Sequence, residues 1–251
     1  MSHLSYHRSK SLFLFLLLLC LTLSACAAKN RHSEDPQACA GGDQAFSVLI
    51  LGDSQMSGAG WDGGYENCIL EAYPQAQVVN LAQNGSLLSN GDIHAQWEYF
   101  LSNTSFTPDF VLFDGGTNDL PYLQKEEFKE TGLPMVSNAL CSLIELIHEA
   151  YPQARILYTL MPPFVEWKDS EHGPPAYEIQ EHFWKQLNIV ASGYDYVTVL
   201  DLFSLNPFRF PCAECYRENM ADSIHLNETG YRNTFEYINN ALVPHLAPQP
   251  E

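Results

Sequence analysis

Five short apolar runs, separated by segments of helical periodicity, constrain the fold more than any other feature of the sequence. The runs are rich in β-branched or aromatic residues and span residues 46–51, 78–81, 110–113, 156–160 and 196–200. In the segments between them, apolar residues recur every three or four positions, as they do in Val136, Leu140, Leu143, Ile144 and Ile147. Strands that alternate with helices form parallel βαβ units. The sequence therefore predicts an α/β fold, with one open, mostly parallel five-stranded sheet between two layers of helices.

A short internal repeat supports this alternation. The sequence Glu-Ala-Tyr-Pro-Gln-Ala occurs at residues 71–76 and again at residues 149–154. Each copy ends a helical pattern with a proline and precedes an apolar run, so both copies predict the same helix-to-strand turn.

The N-terminal segment has the features of a secretory signal. It contains Arg8 and Lys10 but no acidic residue, and its apolar run over residues 11–23 is shorter than the roughly 20 residues that a membrane-spanning helix needs. It ends in Leu-Ser-Ala-Cys26, which resembles the lipobox of bacterial lipoproteins. We therefore expect an exported bacterial lipoprotein, anchored to a membrane through Cys26, in the periplasm or at the cell surface. The alternative is an ordinary signal peptide, with Cys26 an unmodified thiol.

This signal divides the chain into three parts. We expect residues 1–25 to be the signal peptide, residues 26–44 a polar tether, and residues 45–251 one folded domain.

The charge of the chain excludes some classes of partner. It contains 30 aspartate and glutamate residues against 12 lysine and arginine residues, for a formal charge of −18. An acidic surface repels nucleic acids and anionic lipid headgroups. We therefore expect no nucleic-acid partner.

Cysteine usage fits an oxidising compartment, in which disulfides can form. Cys39 precedes the first strand, and Cys68 lies near the end of the helix that returns to the same edge, so the two can form a disulfide. Cys212 and Cys215 could be a redox pair, a zinc half-site or a local disulfide staple. Because no second ligand pair accompanies them, we favour the staple and expect no metal and no cofactor. Cys141 lies in a helical pattern and is the best candidate for a buried free thiol.

Ser54 follows the first apolar run in Leu-Gly-Asp-Ser-Gln-Met-Ser-Gly, where a strand would end at a turn. Such a serine is either a turn residue or a nucleophile, and a nucleophile needs a base, a group that orients the base, and donors for an oxyanion. Asp222 and His225 are three residues apart, so in a helical turn their side chains would face the same way. Asp222 would accept the Nδ1 hydrogen of His225, which leaves Nε2 free to take the serine proton.

Candidate oxyanion donors follow the second and third strands. Gly85 ends the stretch Asn-Leu-Ala-Gln-Asn-Gly, and its backbone N–H can approach a substrate because no Cβ obstructs it. Asn118 lies in Asp-Gly-Gly-Thr-Asn-Asp and offers a side-chain amide. Functional groups of such sheets collect beyond the carboxyl ends of the strands. We therefore expect Gly85, Asn118 and the N–H of Ser54 to meet at that edge.

At this point the sequence resembles a known family. Ser54, Gly85, Asn118 and His225 occur in the order and with the spacing of the four marker residues of the GDSL or SGNH hydrolases, within about residues 46–245. The resemblance implies a flavodoxin-like three-layer α/β/α fold and a metal-independent serine esterase. It implies that Ser54 is the nucleophile, that His225 is the base, that Asp222 orients His225, and that Ser54, Gly85 and Asn118 form the oxyanion hole.

Three neighbours of these markers have a different interpretation. Asp53 and Asp119 are interpreted as turn-stabilising residues rather than as catalysts. Gln55 stands where leucine is common in the family's name motif, so the subfamily stays open.

The substrate is less constrained than the chemistry. Two loops, at residues 57–65 with Trp61 and at residues 162–177 with Trp167, are candidates for specificity. No long apolar lid follows any of the motifs, which favours short acyl esters such as O-acetyl groups on carbohydrate or cell-envelope polymers. The alternatives are a lysophospholipase or thioesterase of the same family and a non-catalytic surface lipoprotein that binds glycans or partners.

Overall fold

The structure is a computed structural model that describes residues 45–123, 130–164, 173–205 and 213–246. The predicted signal peptide, the predicted lipidation site at Cys26 and the predicted tether lie outside the described residues, as do Cys39, Cys212 and Trp167. No helix in the described part of the chain has the length and apolar character needed to cross a membrane.

Five parallel strands form one sheet in the order β2-β1-β3-β4-β5. In chain order the strands are β1 Ser47–Leu51, β2 Gln77–Asn80, β3 Phe110–Phe113, β4 Arg155–Leu160 and β5 Val197–Asp201. Every predicted run is a strand, and the ends differ by no more than one residue. This strand order is that of flavodoxin-like sheets, so the predicted fold class is confirmed.

Helices connect the strands and cover the sheet. In the described residues they are α1 Ser54–Ser57, α2 Gly64–Ala72, α3 Asp92–Asn103, α4 Leu120–Leu123, α5 Gly132–Ala150, α6 Gly173–Ala191, α7 Ala213–Asn219 and α8 Glu228–Leu246. Helix α2 packs against α8, whereas α5 packs against α6. The helices therefore form separate layers on the two faces of the sheet, as the alternating pattern predicts.

The core lies between these layers. The central strands β1 and β3 are almost entirely buried, while the edge strands β2 and β5 are partly exposed. On α5 the apolar residues at helical spacing are all buried, and they are Val136, Leu140, Leu143, Ile144 and Ile147. The predicted helical face is therefore the face that covers the sheet.

The repeated Glu-Ala-Tyr-Pro-Gln-Ala sequence forms the same turn twice. Tyr73 ends α2 and Tyr151 ends α5, with φ of −135° and −134° and ψ of 81° and 73°. In each copy the carbonyl of the tyrosine accepts the N–H of the final alanine, at 2.9 Å for Ala76 and 3.0 Å for Ala154. The prediction of one shared helix-to-strand turn is confirmed.

The structure corrects one cysteine prediction. Cys68 is a free thiol, so the expected disulfide between Cys39 and Cys68 is wrong. Its side chain lies on the same buried face of α2 as Tyr65 and Ile69, and burial raises the pKa of the thiol to about 12. Cys68 therefore contributes to core packing.

The other cysteines fit their predictions only in part. Cys141 is free, as expected, but it is only partly buried. Cys215 is disulfide-bonded, and its partner is outside the described residues. The local pairing of Cys215 with Cys212 therefore stays a prediction.

Candidate active site

Ser54 is placed by a sharp turn between β1 and the short helix α1. Gly52 ends the strand with φ of 136°, and a Cβ at this position would lie 1.9 Å from Oδ1 of Asp114, so only glycine fits. Asp53 is the N-cap of α1 and accepts the N–H of Gln55 at 2.9 Å. Ser54 is thus the first residue of a helix at the carboxyl edge of the sheet, and it is only 6% exposed.

Ser54, His225 and Asp222 form a continuous chain of hydrogen bonds. Nε2 of His225 lies 3.0 Å from Oγ of Ser54, and Nδ1 lies 2.7 Å from Oδ2 of Asp222. Three side chains from opposite ends of the sequence therefore have the geometry in which a serine proton can pass to an imidazole that a carboxylate orients.

The segment that carries His225 is a turn rather than the helical turn that the spacing predicts. Oδ1 of Asp222 accepts the backbone N–H of Ile224 at 2.8 Å and that of His225 at 2.7 Å. A bridge between Met220 and Leu226 closes the turn. Partial burial raises the pKa of Asp222, but hydrogen bonds from the His225 ring and from both N–H groups outweigh it and lower the pKa below its ordinary value. Asp222 is therefore a carboxylate at neutral pH.

The three predicted oxyanion donors lie at the same edge of the sheet. The N–H of Ser54 belongs to the first turn of α1, and neither it nor the N–H of Gly85 meets an acceptor within the described residues. Gly85 is exposed and has φ of 80°. The Asn118 amide donates to the carbonyl of Ser86 at 3.0 Å and to Oδ2 of Asp53 at 3.2 Å. Asn118 thus connects the Gly85 loop to the residue that precedes Ser54.

Asp53 and Asp119 support the backbone around the site. Besides capping α1, Asp53 accepts the Asn118 amide. Asp119 accepts the N–H groups of Leu88 and Ser89, each at 3.0 Å, and so holds the loop that follows Gly85. Both are buried, and neither contacts Oγ of Ser54.

Asp114 forms a buried carboxyl pair with Asp53 beneath the nucleophile turn. Oδ1 of Asp114 accepts the N–H of Asp53 at 2.8 Å, while Oδ2 is buried with no partner other than the Asp53 carboxyl. Burial, reinforced by the charge of Asp53, raises the pKa of Asp114 well above its ordinary value. Burial raises the pKa of Asp53 as well, so the buried pair favours a proton held between the two carboxyl groups.

Replacing Asp114 with asparagine should remove a pH dependence of stability. Because the folded pKa is raised, unfolding releases a proton above about pH 5, so this carboxyl contributes less to wild-type stability as pH rises. Asparagine supplies the same donor and acceptor without that proton. The free energy of unfolding of Asp114→Asn relative to wild type should therefore rise with pH, by up to about 1.4 kcal/mol per pH unit between the unfolded and the folded pKa of Asp114. Urea denaturation at pH 5 and pH 8 measures this difference.

The matched control is Asp62→Asn, which changes an exposed carboxyl on a neighbouring loop. Its stability difference from wild type should not change in this way between the two pH values. Equal pH dependence in wild type and Asp114→Asn would show that Asp114 is ionised in the folded protein.

Sequence reasoning missed a buried amide that holds the strand end in place. Gln96, on α3, accepts the N–H of Gly52 and donates to the carbonyl of Gly52, both at 2.8 Å, and it donates to Oγ of Ser86 at 3.0 Å. It lies on the buried face of α3 with Ile93, Trp97 and Phe100. The helical periodicity of this segment places Gln96 on the buried face, and a glutamine at such a position indicates a structural hydrogen bond.

A polar cleft of about 720 Å³ begins at the loop that carries Gly85 and extends along α3. It is lined mainly by amide, hydroxyl and backbone groups, with no basic side chain, and its lining residues are Asn80, Leu81, Ala82, Gln83, Asn84, Gly85, Ser86, Asp92, Ala95, Gln96 and Tyr99. Tyr99 is 58% exposed. The cleft can therefore accommodate a neutral, hydroxyl-rich molecule next to Gly85.

Within the described residues, neither of the two loops proposed for specificity lines this cleft. Trp61 is partly buried, with its ring 6.0 Å from that of Tyr231 and 5.0 Å from the guanidinium carbon of Arg232. These contacts give it a packing role. Residues 165–172 of the second loop are outside the described residues. In the described part of the chain, no group of three or more histidine, cysteine, aspartate or glutamate side chains is arranged to hold a metal ion.

Comparison with known proteins places these features in context. The profile of the GDSL-like lipase/acylhydrolase family matches residues 50–232, which include Ser54, Gly85, Asn118, Asp222 and His225. No curated protein matches the sequence significantly.

Several solved structures share the fold. A member of the lipolytic protein G-D-S-L family from Veillonella parvula DSM 2008 has a TM-score of 0.60 and 18% identity, over 80% of this chain and 99% of that one. The lipase/acylhydrolase from Enterococcus faecalis has a TM-score of 0.58 and 17% identity, over 82% and 100%. An acetylxylan esterase from Geobacillus stearothermophilus has a TM-score of 0.55 and 18% identity, over 81% and 95%. At these identities the likeness shows the fold.

Proposed function

Because the chain belongs to the GDSL-like lipase/acylhydrolase family and is a carboxylic ester hydrolase, we propose that it removes short acyl groups, above all O-acetyl groups, from a carbohydrate or cell-envelope polymer. The main support for catalysis by a serine nucleophile is the chain of hydrogen bonds from Ser54 through His225 to Asp222.

The geometry supports one role for each side chain. Oγ of Ser54 attacks the ester carbonyl while Nε2 of His225 takes its proton, and the Asp222 carboxylate stabilises the imidazolium that forms. His225 then donates the proton to the leaving alcohol, and an acyl group stays on Ser54. Water, deprotonated by His225, attacks this acyl-enzyme, and His225 returns the proton to Oγ of Ser54 as the acid is released.

The oxyanion of each tetrahedral intermediate requires donors next to Ser54. The N–H groups of Ser54 and Gly85 are unengaged within the described residues, so they can bind an oxyanion without first losing a partner. Asn118 would exchange its longer bond, 3.2 Å to Asp53, for a bond to the oxyanion. Each such donor contributes about 10²- to 10³-fold in well-studied hydrolases.

The polar cleft supports a carbohydrate as the alcohol component. Amides and an exposed tyrosine are suited to bind sugar hydroxyls and to stack on a sugar ring, whereas a long acyl chain needs an apolar channel. Its lining contains one acidic residue, Asp92, and no basic residue, which disfavours an anionic polymer. One structural neighbour is an acetylxylan esterase, which is compatible with acetyl-ester chemistry on this fold.

A chain-length series tests this proposal. We expect p-nitrophenyl acetate to give the highest kcat/KM in a series that extends to palmitate, and we expect the protein to release acetate from acetylated xylan. A serine-directed phosphonate should add its mass to the peptide that contains Ser54. A preference for long chains would instead support the lysophospholipase alternative, and failure of both labelling and turnover would support a non-catalytic binding lipoprotein.

A further inference from the structure

The base and the nucleophile belong to separate segments whose relative position needs a direct connection. Ser54 lies on α1 and His225 lies in a turn near the C-terminal end of the domain. The Asp222 carboxylate and the bridge of Met220 with Leu226 define the shape of the turn itself. Neither contact joins the turn to α1, and a hydrogen bond between Nε2 and Oγ needs both segments in register.

Gln55, the residue directly after Ser54, makes this connection. Its Nε2 donates to the carbonyl of Ile224, and its Oε1 accepts the N–H of Leu226 at 3.4 Å. The side chain thus binds the backbone on both sides of His225. Gln55 is 1% exposed, so these bonds do not compete with water.

The backbone of Gln55 is fixed at the same time. Its N–H donates to Asp53 at 2.9 Å, and its carbonyl accepts the hydroxyl of Tyr231 at 2.7 Å. Because the backbone N–H and the backbone carbonyl of Gln55 are both hydrogen-bonded, its side-chain amide starts from a fixed position. Gly60 is another close neighbour of the turn, because a Cβ there would lie 2.0 Å from the carbonyl oxygen of Leu226 and 2.9 Å from Cβ of His225. That contact is steric, whereas the two bonds of Gln55 are directional.

We propose that Gln55 is a positioning residue, which holds the backbone on either side of His225 so that Nε2 stays within hydrogen-bonding reach of Ser54. The inference rests on the proposed function, since it assigns Gln55 a role in the same esterase site. It also gives a physical role to the glutamine that replaces the usual leucine, because a leucine side chain can form neither bond.

The effect of losing these bonds follows from the geometry. A displacement of a catalytic group by about 1 Å lowers rates by about 100-fold in other enzymes. Gln55→Met keeps an unbranched side chain of similar length but has no N–H donor and no carbonyl acceptor. We expect kcat for p-nitrophenyl acetate to fall about 10- to 100-fold while KM changes less than about twofold, because Gln55 is buried and offers no surface for the ester to bind.

A second variant tests the hydrogen bonds rather than the shape. In Gln55→Glu the neutral carboxylic acid can donate to the carbonyl of Ile224 and accept from the N–H of Leu226, whereas the ionised carboxylate has no donor. The ratio of its kcat to that of wild type should therefore be highest at low pH and fall as the introduced carboxyl ionises. If Gln55→Met does not fold, this ratio still tests whether the hydrogen bonds of Gln55 position His225.

The matched control is Tyr73→Phe, which removes a buried hydrogen bond of 2.6 Å to Asn239 between two segments far apart in the sequence. It should leave kcat within about twofold of wild type. A wild-type kcat in Gln55→Met, an equal loss of kcat in Tyr73→Phe, or a kcat of Gln55→Glu that is reduced to the same extent at low and at high pH would overturn the role of Gln55.

Nitrogen-15 NMR of the His225 ring separates this inference from the proposed function. In wild type the Nε2 signal should be that of a nitrogen hydrogen-bonded to a hydroxyl, and in Gln55→Met it should shift toward that of a solvated imidazole. If wild type does not hydrolyse esters but the signal shifts, the proposed function fails and the positioning role stands. An unchanged signal in Gln55→Met would refute the positioning role, whatever the activity.

Discussion

Ser54→Ala is expected to lower kcat for p-nitrophenyl acetate by about a million-fold, the loss seen when the nucleophile of a well-studied serine protease is removed. Oγ of Ser54 is the atom within 3.0 Å of Nε2 of His225, and alanine leaves no oxygen there to form the acyl-enzyme. The residual rate should come from the oxyanion donors and substrate binding alone. Steady-state kinetics, with active-site titration by a phosphonate, measure both the rate and the labelled fraction.

Ser57→Ala is the matched control for this change. Ser57 lies on the same short helix, and its hydroxyl donates to Asn84 and to the carbonyl of Ser54 without contacting His225. Its kcat should stay within about tenfold of wild type, and its phosphonate labelling should persist. If Ser54→Ala kept the wild-type rate, another residue would be the nucleophile.

The fold could be predicted because its determinants are local. The sequence of strand β3 is Phe-Val-Leu-Phe. An apolar run this short, with turn residues on both sides, is typical of a buried strand. The helix α5 shows its buried face directly in its spacing. Once strands and helices alternate, the parallel sheet follows, and the carboxyl edge of the strands limits where Ser54, Gly85 and Asn118 can lie.

The bonds that support the site could not be predicted in the same way, because they connect residues far apart in the sequence. Gln55 binds backbone groups of Ile224 and Leu226, and Gln96 binds backbone groups of Gly52. No periodicity or motif specifies which distant carbonyl a side-chain amide will meet. The spacing of Asp222 and His225 predicts that their side chains face each other. They do so in a turn in which the Asp222 carboxylate accepts the backbone N–H groups of Ile224 and His225, rather than in a helix.

The error at Cys68 has a different cause. A disulfide between Cys39 and Cys68 is compatible with both residues lying at one edge of the sheet, but the face of α2 that carries the thiol also matters. Cys68 follows Tyr65 by three residues and precedes Ile69, so helical periodicity places it on the buried face. A position along a helix is therefore insufficient to predict a disulfide unless the direction of the side chain is considered as well.

Asp222→Asn is expected to lower kcat by about 10⁴-fold, the loss known for the equivalent change in a serine protease triad. The asparagine oxygen can still accept the N–H groups of Ile224 and His225, so the turn should persist. Its NH₂ group would replace Oδ2 opposite Nδ1 of His225 and would donate to that nitrogen. The ring would then carry its proton on Nε2 and could not accept the proton of Ser54.

The size of this loss distinguishes a wrong tautomer from a simple loss of charge near the site. Because hydrogen bonds lower the pKa of Asp222, its carboxylate is ionised at every pH from about 6 to 9, so the loss should be constant across that range. Asp195→Asn removes an exposed carboxylate from the loop before β5 and serves as the charge-matched control, with kcat expected within about twofold of wild type. The Asp222 carboxylate is 56% exposed in its side chain, so a bare electrostatic contribution would be screened by water and salt. A loss below tenfold would therefore mean that Asp222 acts only as a nearby charge, whereas a loss near 10⁴-fold at all these pH values requires that it hold the proton on Nδ1.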